Sequence, residues 1–212
     1  MRITVLGASG RTGVPLVEQT LGRGHEVVAF VRSRDRLPAE LLGNDGVTVV
    51  EGDAYTGDGV VEAVEGADVV VSVLGQSKES PDDLLTVAGD HVVEAMHDAG
   101  VDRFVTLVGA GVREEGEAVP FSGKVMGAVL KFVASEVLAD AEAHVEHVRD
   151  SDLQWTVVRA PRLTDAAGTG TYRAGDISLG FESVARADVA RFVLDVVEGE
   201  QFVGELPKVG PA

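Results

Sequence analysis

Residues 2–13 read Arg2-Ile-Thr-Val-Leu-Gly-Ala-Ser-Gly-Arg-Thr-Gly13. A short apolar run suited to a buried strand leads directly into Gly7, Gly10 and Gly13, and a helix-like pattern follows from Val14. Strand, glycine turn and helix in that order form the context in which a glycine triplet cradles a pyrophosphate. Gly7 permits the tight turn. Gly10 lets the backbone approach a phosphate with no Cβ between them, and Gly13 lets the helix pack on the strand. Unpaired amides at the helix start, together with its positive dipole end, complete the anion site. Ser9 and Thr12 add hydroxyl donors, and Arg11 stands between them and the helix.

Beyond this unit, apolar runs of strand length alternate with amphipathic segments of helix length. Strands are predicted at 3–6, 26–31, 47–50, 68–74, 103–108 and 154–159, with a last one near 202–206. Helices are predicted at 12–21, 59–65, 81–99, 135–149 and 186–197. Ser80-Pro81, followed by Asp82 and Asp83, reads as the start of the helix at 81–99, and Gly100 as its C-cap. The alternation implies βαβ units around a mainly parallel sheet, a doubly wound Rossmann fold in one domain spanning 1–212. Residues 111–127 form the longest poorly patterned connection, and the Glu114-Glu115-Gly116-Glu117 run inside it reads as a solvated loop.

The end of the second strand selects the dinucleotide. An NAD-type site offers a carboxylate there, about 20 residues on, to the ribose 2′-hydroxyl. This chain has Val31-Arg32-Ser33-Arg34-Asp35-Arg36 instead. Arg32 and Arg36, with Ser33, suit a 2′-phosphate, so the expected cofactor is NADP(H). Surface pairing of these arginines with Glu40 or Asp45 is the competing reading. Gly52-Asp53-Ala54 and Leu74-Gly75 follow the third and fourth strands, and they are expected at the adenine and at a cofactor ribose respectively.

The chain carries 35 acidic and 18 basic residues, a net charge of −17, with only four lysines, Lys78, Lys124, Lys131 and Lys208. Such a surface repels nucleic acid and anionic membranes, and it matches proteins adapted to high salt. With no cysteine, disulfides and thiolate chemistry are excluded. No signal peptide is read at the start and no apolar run approaches the ~20 residues of a membrane span, so a cytoplasmic protein is expected. His144 and His147, with Glu146 between them, share a helix face, but no third convergent ligand is identifiable, so no metal is expected. Asp140 and Glu142 read as part of a solvated helix face, and Trp155 as core.

The blocks Gly7–Gly13, Val31-Arg32, Arg36-Leu-Pro38, Gly52-Asp53, Leu74-Gly75, Gly100-Val-Asp102, Asp152 to Asp165, Gly168 to Tyr172 and Arg186 to Ala190 together resemble an atypical short-chain dehydrogenase/reductase. The likeness is to the NmrA-like NAD(P)-binding group, similar to biliverdin reductase B/flavin reductase. The resemblance implies cofactor contacts at Gly7, Ser9, Gly10, Arg11, Thr12, Arg32, Arg36, Asp53, Ala54, Leu74, Gly75, Leu107, Arg162 and Leu163. It implies hydride transfer to a small planar acceptor, a flavin, quinone or similar, held near Gly109, Pro161, Arg162 and Tyr172. The chain departs from the pattern where chemistry is concerned. No Tyr-x-x-x-Lys dyad is present, Val137 and Ala141 stand at its position in some relatives, Gly109 replaces a serine, and Arg162 replaces a histidine. No catalytic residue is assigned. A non-catalytic NmrA-like redox sensor that binds NAD(P) and a partner protein is the alternative, and Arg162 suits either the crevice or a structural turn. A monomer or weak homodimer is expected.

Overall fold

The computed structural model describes residues 1–77, 79–114, 117 and 135–212. The segments read as strands because they are nearly continuous runs of Val, Ile, Leu and Phe, as strands covered on both faces require. β1 (Arg2–Leu6), β2 (Glu26–Val31), β3 (Val47–Glu51), β4 (Val69–Ser72), β5 (Arg103–Gly109) and β6 (Gln154–Ala160) pair in parallel in the order β3-β2-β1-β4-β5-β6. Val5 aligns with Ala29 of β2 and with Val71 of β4. The order reverses between β1 and β4, the switch point at which such sheets open a crevice at their carboxyl ends.

Helices lie on both faces. α1 (Gly13–Gly22) and α6 (Arg186–Glu198) bury Leu16, Val17, Val189, Phe192 and Val193 against one face. α3 (Val60–Val64), α4 (Leu84–Ala99) and α5 (Ser135–Asp150) bury Val64, Val92, Met96, Val145 and Val148 against the other. A short α2 (Ala39–Leu42) follows β2. Gly89 of α4 faces His144 of α5 so closely that a Cβ there would lie 2.5 Å from Nδ1. No helix among the described residues is long and apolar enough to cross a membrane.

The far end of the sheet differs from the sequence reading. Residues 202–206 do not form a continuous strand: Glu200, Phe202 and Gly204 adopt positive φ, and only Glu205 makes an isolated parallel bridge, to Thr156 of β6. The last strand is β10 (Lys208–Pro211), parallel to β6 and antiparallel to β8 (Tyr172–Gly175). β7 (Arg162–Thr164) and β9 (Ser183–Ala185) form a separate parallel pair.

Three polar groups correct surface readings. Asp140 is buried, and its carboxylate accepts from the Leu85 and Thr86 amides at 2.8 and 2.9 Å. It also accepts from Thr86 Oγ1 at 2.7 Å and Gln76 Nε2 at 2.6 Å. It thereby caps α4 from α5, while Asp83 at the helix start makes no side-chain cap. α4 accordingly begins at Leu84, not at Pro81. Glu114 and Glu117 are also not merely solvated. Arg159, only 2% exposed, donates to Glu117 Oε2 at 2.6 Å and lies 3.3 Å from Glu114. The other Glu117 oxygen takes Lys208 Nζ at 2.6 Å. Burial pushes the Glu117 carboxyl up, but its bonds from Lys208 and Arg159 outweigh this and hold it at about 2. Most of the 111–127 connection lies outside the described residues, as do Lys78, Lys124 and Lys131.

Candidate functional site

Gly7 turns at φ +80°, and its carbonyl accepts the Gly10 amide at 2.9 Å. The first helical bond then runs from the Val14 amide to the Gly10 carbonyl. The amides of Arg11, Thr12 and Gly13 precede that bond and take no helical carbonyl. A Cβ on Gly13 would lie 2.1 Å from the Gly7 carbonyl oxygen, and one on Gly10 3.0 Å from it. The loop is therefore closed to side chains and open to an anion, which fits a dinucleotide pyrophosphate.

Beside this loop a cleft of about 430 Å³ opens along the carboxyl ends of β1, β4, β5 and β6. It brings together Gly10, Arg11, Thr12, Leu74, Gly75, Leu107, Gly109, Pro161 and Leu163 from the sequence reading. Val137 and Ala141 of α5 also line it, so the positions that the resemblance assigns to a catalytic dyad in some relatives carry apolar groups at the cleft. Arg32, Arg36, Asp53 and Ala54 follow β2 and β3 on the other side of β1, where the second half of an extended dinucleotide would lie. Arg32 and Arg36 are exposed and make no ion pair among the described residues, and the proposed partners Glu40 and Asp45 are not engaged by them. Asp53 is half-buried and accepts from the Tyr55 amide at 2.9 Å, while Ala54 is buried. Ser9 is half-buried in the loop.

Two expected substrate residues are elsewhere. Tyr172 lies on β8, packs on Phe192 with ring centroids 5.0 Å apart and donates its hydroxyl to Asp195 at 2.5 Å. Burial and Asp195 push that hydroxyl up to about 12. It neither lines the cleft nor folds over it. Arg162 is exposed and outside the cleft lining, whereas Leu163 lines it, because successive strand side chains point to opposite faces. The cation that the cleft does contain on that side is Arg186, the first residue of α6. Its Nη1 meets Asp165 at 2.6 Å, and the same carboxylate lies 3.3 Å from Arg11 Nη1. In the sequence Arg186 stands out only as part of a block. Its position at a helix start after a strand was the available signal.

His144 is buried, with Nε2 3.0 Å from Thr106 Oγ1, and burial lowers it to about 4 against the opposing pull of Asp140. No group of three or more metal-ligating residues occurs among the described residues.

Fold and cleft together define a dinucleotide-binding protein. The chain belongs to the NAD(P)H-binding family, whose model matches residues 7–200. It is 27% identical to the uncharacterized protein YwnB of Bacillus subtilis (strain 168), over 97% of this chain and 96% of that protein. It is 34% identical to a 3-beta-hydroxysteroid dehydrogenase of Mycolicibacterium neoaurum, over 49% of this chain but only 31% of that one. Among solved structures it resembles a short-chain dehydrogenase/reductase from Veillonella parvula DSM 2008 in complex with NADP. That match has a TM-score of 0.82 and 21% identity, over 99% of this chain and 94% of that one. It also resembles ChuY, an anaerobilin reductase from Escherichia coli O157:H7, with a TM-score of 0.79 and 22% identity over 99% and 96% of the two chains.

Proposed function

We propose that this protein is an NADP(H)-dependent oxidoreductase that reduces a small planar acceptor, a flavin or a quinone. The observation that carries the reading is the cleft beside the glycine loop, which is lined in part by Leu74, Leu107, Pro161 and Leu163 and has the apolar Val137 and Ala141 at the positions where the resemblance expects a catalytic dyad. The Arg11, Thr12 and Gly13 amides hold the pyrophosphate, and Arg32 and Arg36 hold the 2′-phosphate. Leu74 and Gly75 let a ribose lie against backbone. Leu107, Pro161, Leu163, Val137 and Ala141 exclude water and keep an aromatic acceptor flat. When bound, the dinucleotide supplies the hydride. The bound NADP of the Veillonella protein and the reductase activity named for ChuY support this reading by likeness of fold.

Among the described residues that line the cleft there is no Asp, Glu, His or Tyr. Reduction of a simple carbonyl needs a positioned acid, typically worth 10²–10⁴-fold. A flavin or quinone accepts one hydride into an electron-poor ring and takes the matching proton from water, so this cleft serves it without such an acid. The test is an NADPH-oxidation panel with FMN, FAD, quinones, dichlorophenolindophenol and an aldehyde, run in high salt. Turnover of the planar acceptors but not the aldehyde is expected. Tight NADPH binding without turnover of any of them would overturn the reading in favour of a redox sensor.

A further inference from the structure

The cleft has a second anion-receiving feature beside the amides of the glycine loop. In a chain of net charge −17, the charged side chains among its described lining residues are two guanidinium groups, Arg11 and Arg186, with no carboxylate. Their side chains differ sharply in exposure. Arg11 is 73% exposed, and its contact with Asp165 is long, so it is held weakly. Arg186 is only 12% exposed, and Asp165 fixes it through Nη1 alone. Its Nε and Nη2 carry no hydrogen bond among the described residues, so donors of a planar fork remain for a ligand. Asp165 is not among the cleft-lining residues, and its carboxylate holds Arg186 at 2.6 Å.

The pyrophosphate already has its donors in the loop amides. Arg186 comes from the start of α6, after the β7 and β9 pair that contributes Leu163, and shares the Asp165 carboxylate with Arg11 of the loop. Resting on the reductase reading above, we infer that Arg186 is a specificity-determining residue that takes an oxyanion, phosphate or carboxylate, carried by the planar acceptor, with Asp165 as its positioning residue. The acceptor class is thereby anionic: a flavin mononucleotide over the bare flavin, and an acidic quinone over its neutral parent.

The test is direct binding, which needs no turnover. Flavin-fluorescence quenching on the full chain saturated with NADP⁺ should show FMN binding roughly tenfold or more tighter than riboflavin, the size of one charge-assisted hydrogen bond. Arg186→Gln should remove most of that difference while leaving riboflavin and NADP⁺ affinity unchanged, and Arg186→Lys should keep part of it. A naphthoquinone with and without a carboxylate separates the sources. Tight binding of both anionic ligands marks a general oxyanion site, and tight binding of FMN alone marks a phosphate site. Equal affinity of wild type for FMN and riboflavin would overturn the inference. So would a loss in Arg186→Gln that falls on NADP⁺, or equally on both flavins, instead of on the anionic acceptor. If wild type binds FMN selectively yet oxidises no NADPH with any acceptor, the reductase reading fails and the anion site stands.

Discussion

Replacing Asp140 with alanine should be among the most destabilising single changes to a polar residue in this protein. The carboxylate accepts four hydrogen bonds from three residues, and the residue is 6% exposed. Hydrogen bonds to a charged group contribute about 1.5–3 kcal/mol each, which sets an upper limit near 6–12 kcal/mol. The true figure is smaller, since water can reach the opened end of α4 and the desolvation cost of the carboxylate disappears with it. An N-cap alone is worth roughly 1 kcal/mol, and the buried donor groups left behind add about 1–3 kcal/mol more. We expect a loss of about 3–4 kcal/mol, or a fall in Tm on the order of 10 °C at this chain length. Urea unfolding of Asp140→Ala and Glu142→Ala measures it, because Glu142 is exposed two residues along the same helix and should change stability by less than ~0.5 kcal/mol. If the two variants unfold at the same urea concentration, Asp140 does not cap α4 and the reasoning is wrong.

Alanine at both Arg32 and Arg36 should abolish most of the preference for NADPH over NADH, on the order of 1–3 kcal/mol for each guanidinium removed; titration of both cofactors decides, and an NADH preference in wild type refutes it. His144 is neutral in the fold with its pKa lowered to about 4, while an unfolded histidine titrates near 6.5, so the unfolded state binds more protons between these values. The contribution of this group to stability is therefore fully present above about pH 6.5 and is lost as pH drops toward 4. Asp140, His147 and Asp90 surround the ring, so the check is a shallower slope between pH 6.5 and 5 in His144→Gln than in wild type. Tyr172→Phe should leave acceptor turnover unchanged and cost roughly 1 kcal/mol of stability through removal of the Asp195 bond; a loss of turnover would place Tyr172 in the chemistry. Tm should rise from dilute buffer to molar potassium chloride as screening relieves the charge of −17, and a flat or falling curve would contradict a salt-adapted surface.

The parts of the fold governed by local pattern were legible in the sequence. β1 to β6 announce themselves as runs of β-branched and aliphatic residues, and the glycine loop combines spacing with its place after a strand. Boundaries shift where side chains have a second task. β4 ends at Ser72, not Leu74; Val73 still donates its amide to the Leu6 carbonyl of β1 at 3.1 Å, and both Val73 and Leu74 line the cleft. What the sequence concealed depends on partners far along the chain. Asp140 looks like any polar residue on a helix until Leu85 and Thr86, over 50 positions earlier, are brought to it. Arg159 and Glu117 are 42 positions apart and lie in segments whose local patterns say strand and loop. Short strands such as β7 and β9, three residues each, carry too little periodicity to stand out.

The placement of β10 has a consequence in time. β10 is made after α6, yet it sits inside the sheet, between β6 and β8. Until residues 204–211 arrive, β6 presents an open edge with unpaired amides and carbonyls, and β8 has no neighbour in the sheet. Arg159 likewise waits for the Leu206 carbonyl, which accepts from its Nε at 2.9 Å. On the ribosome the first five parallel strands can assemble as they emerge, whereas this flank stays unfinished until residues 208–211 have left the tunnel. Emergence of that short strand, not of the glycine loop, is therefore the moment at which the open edge of β6 is closed and β8 is joined to the sheet.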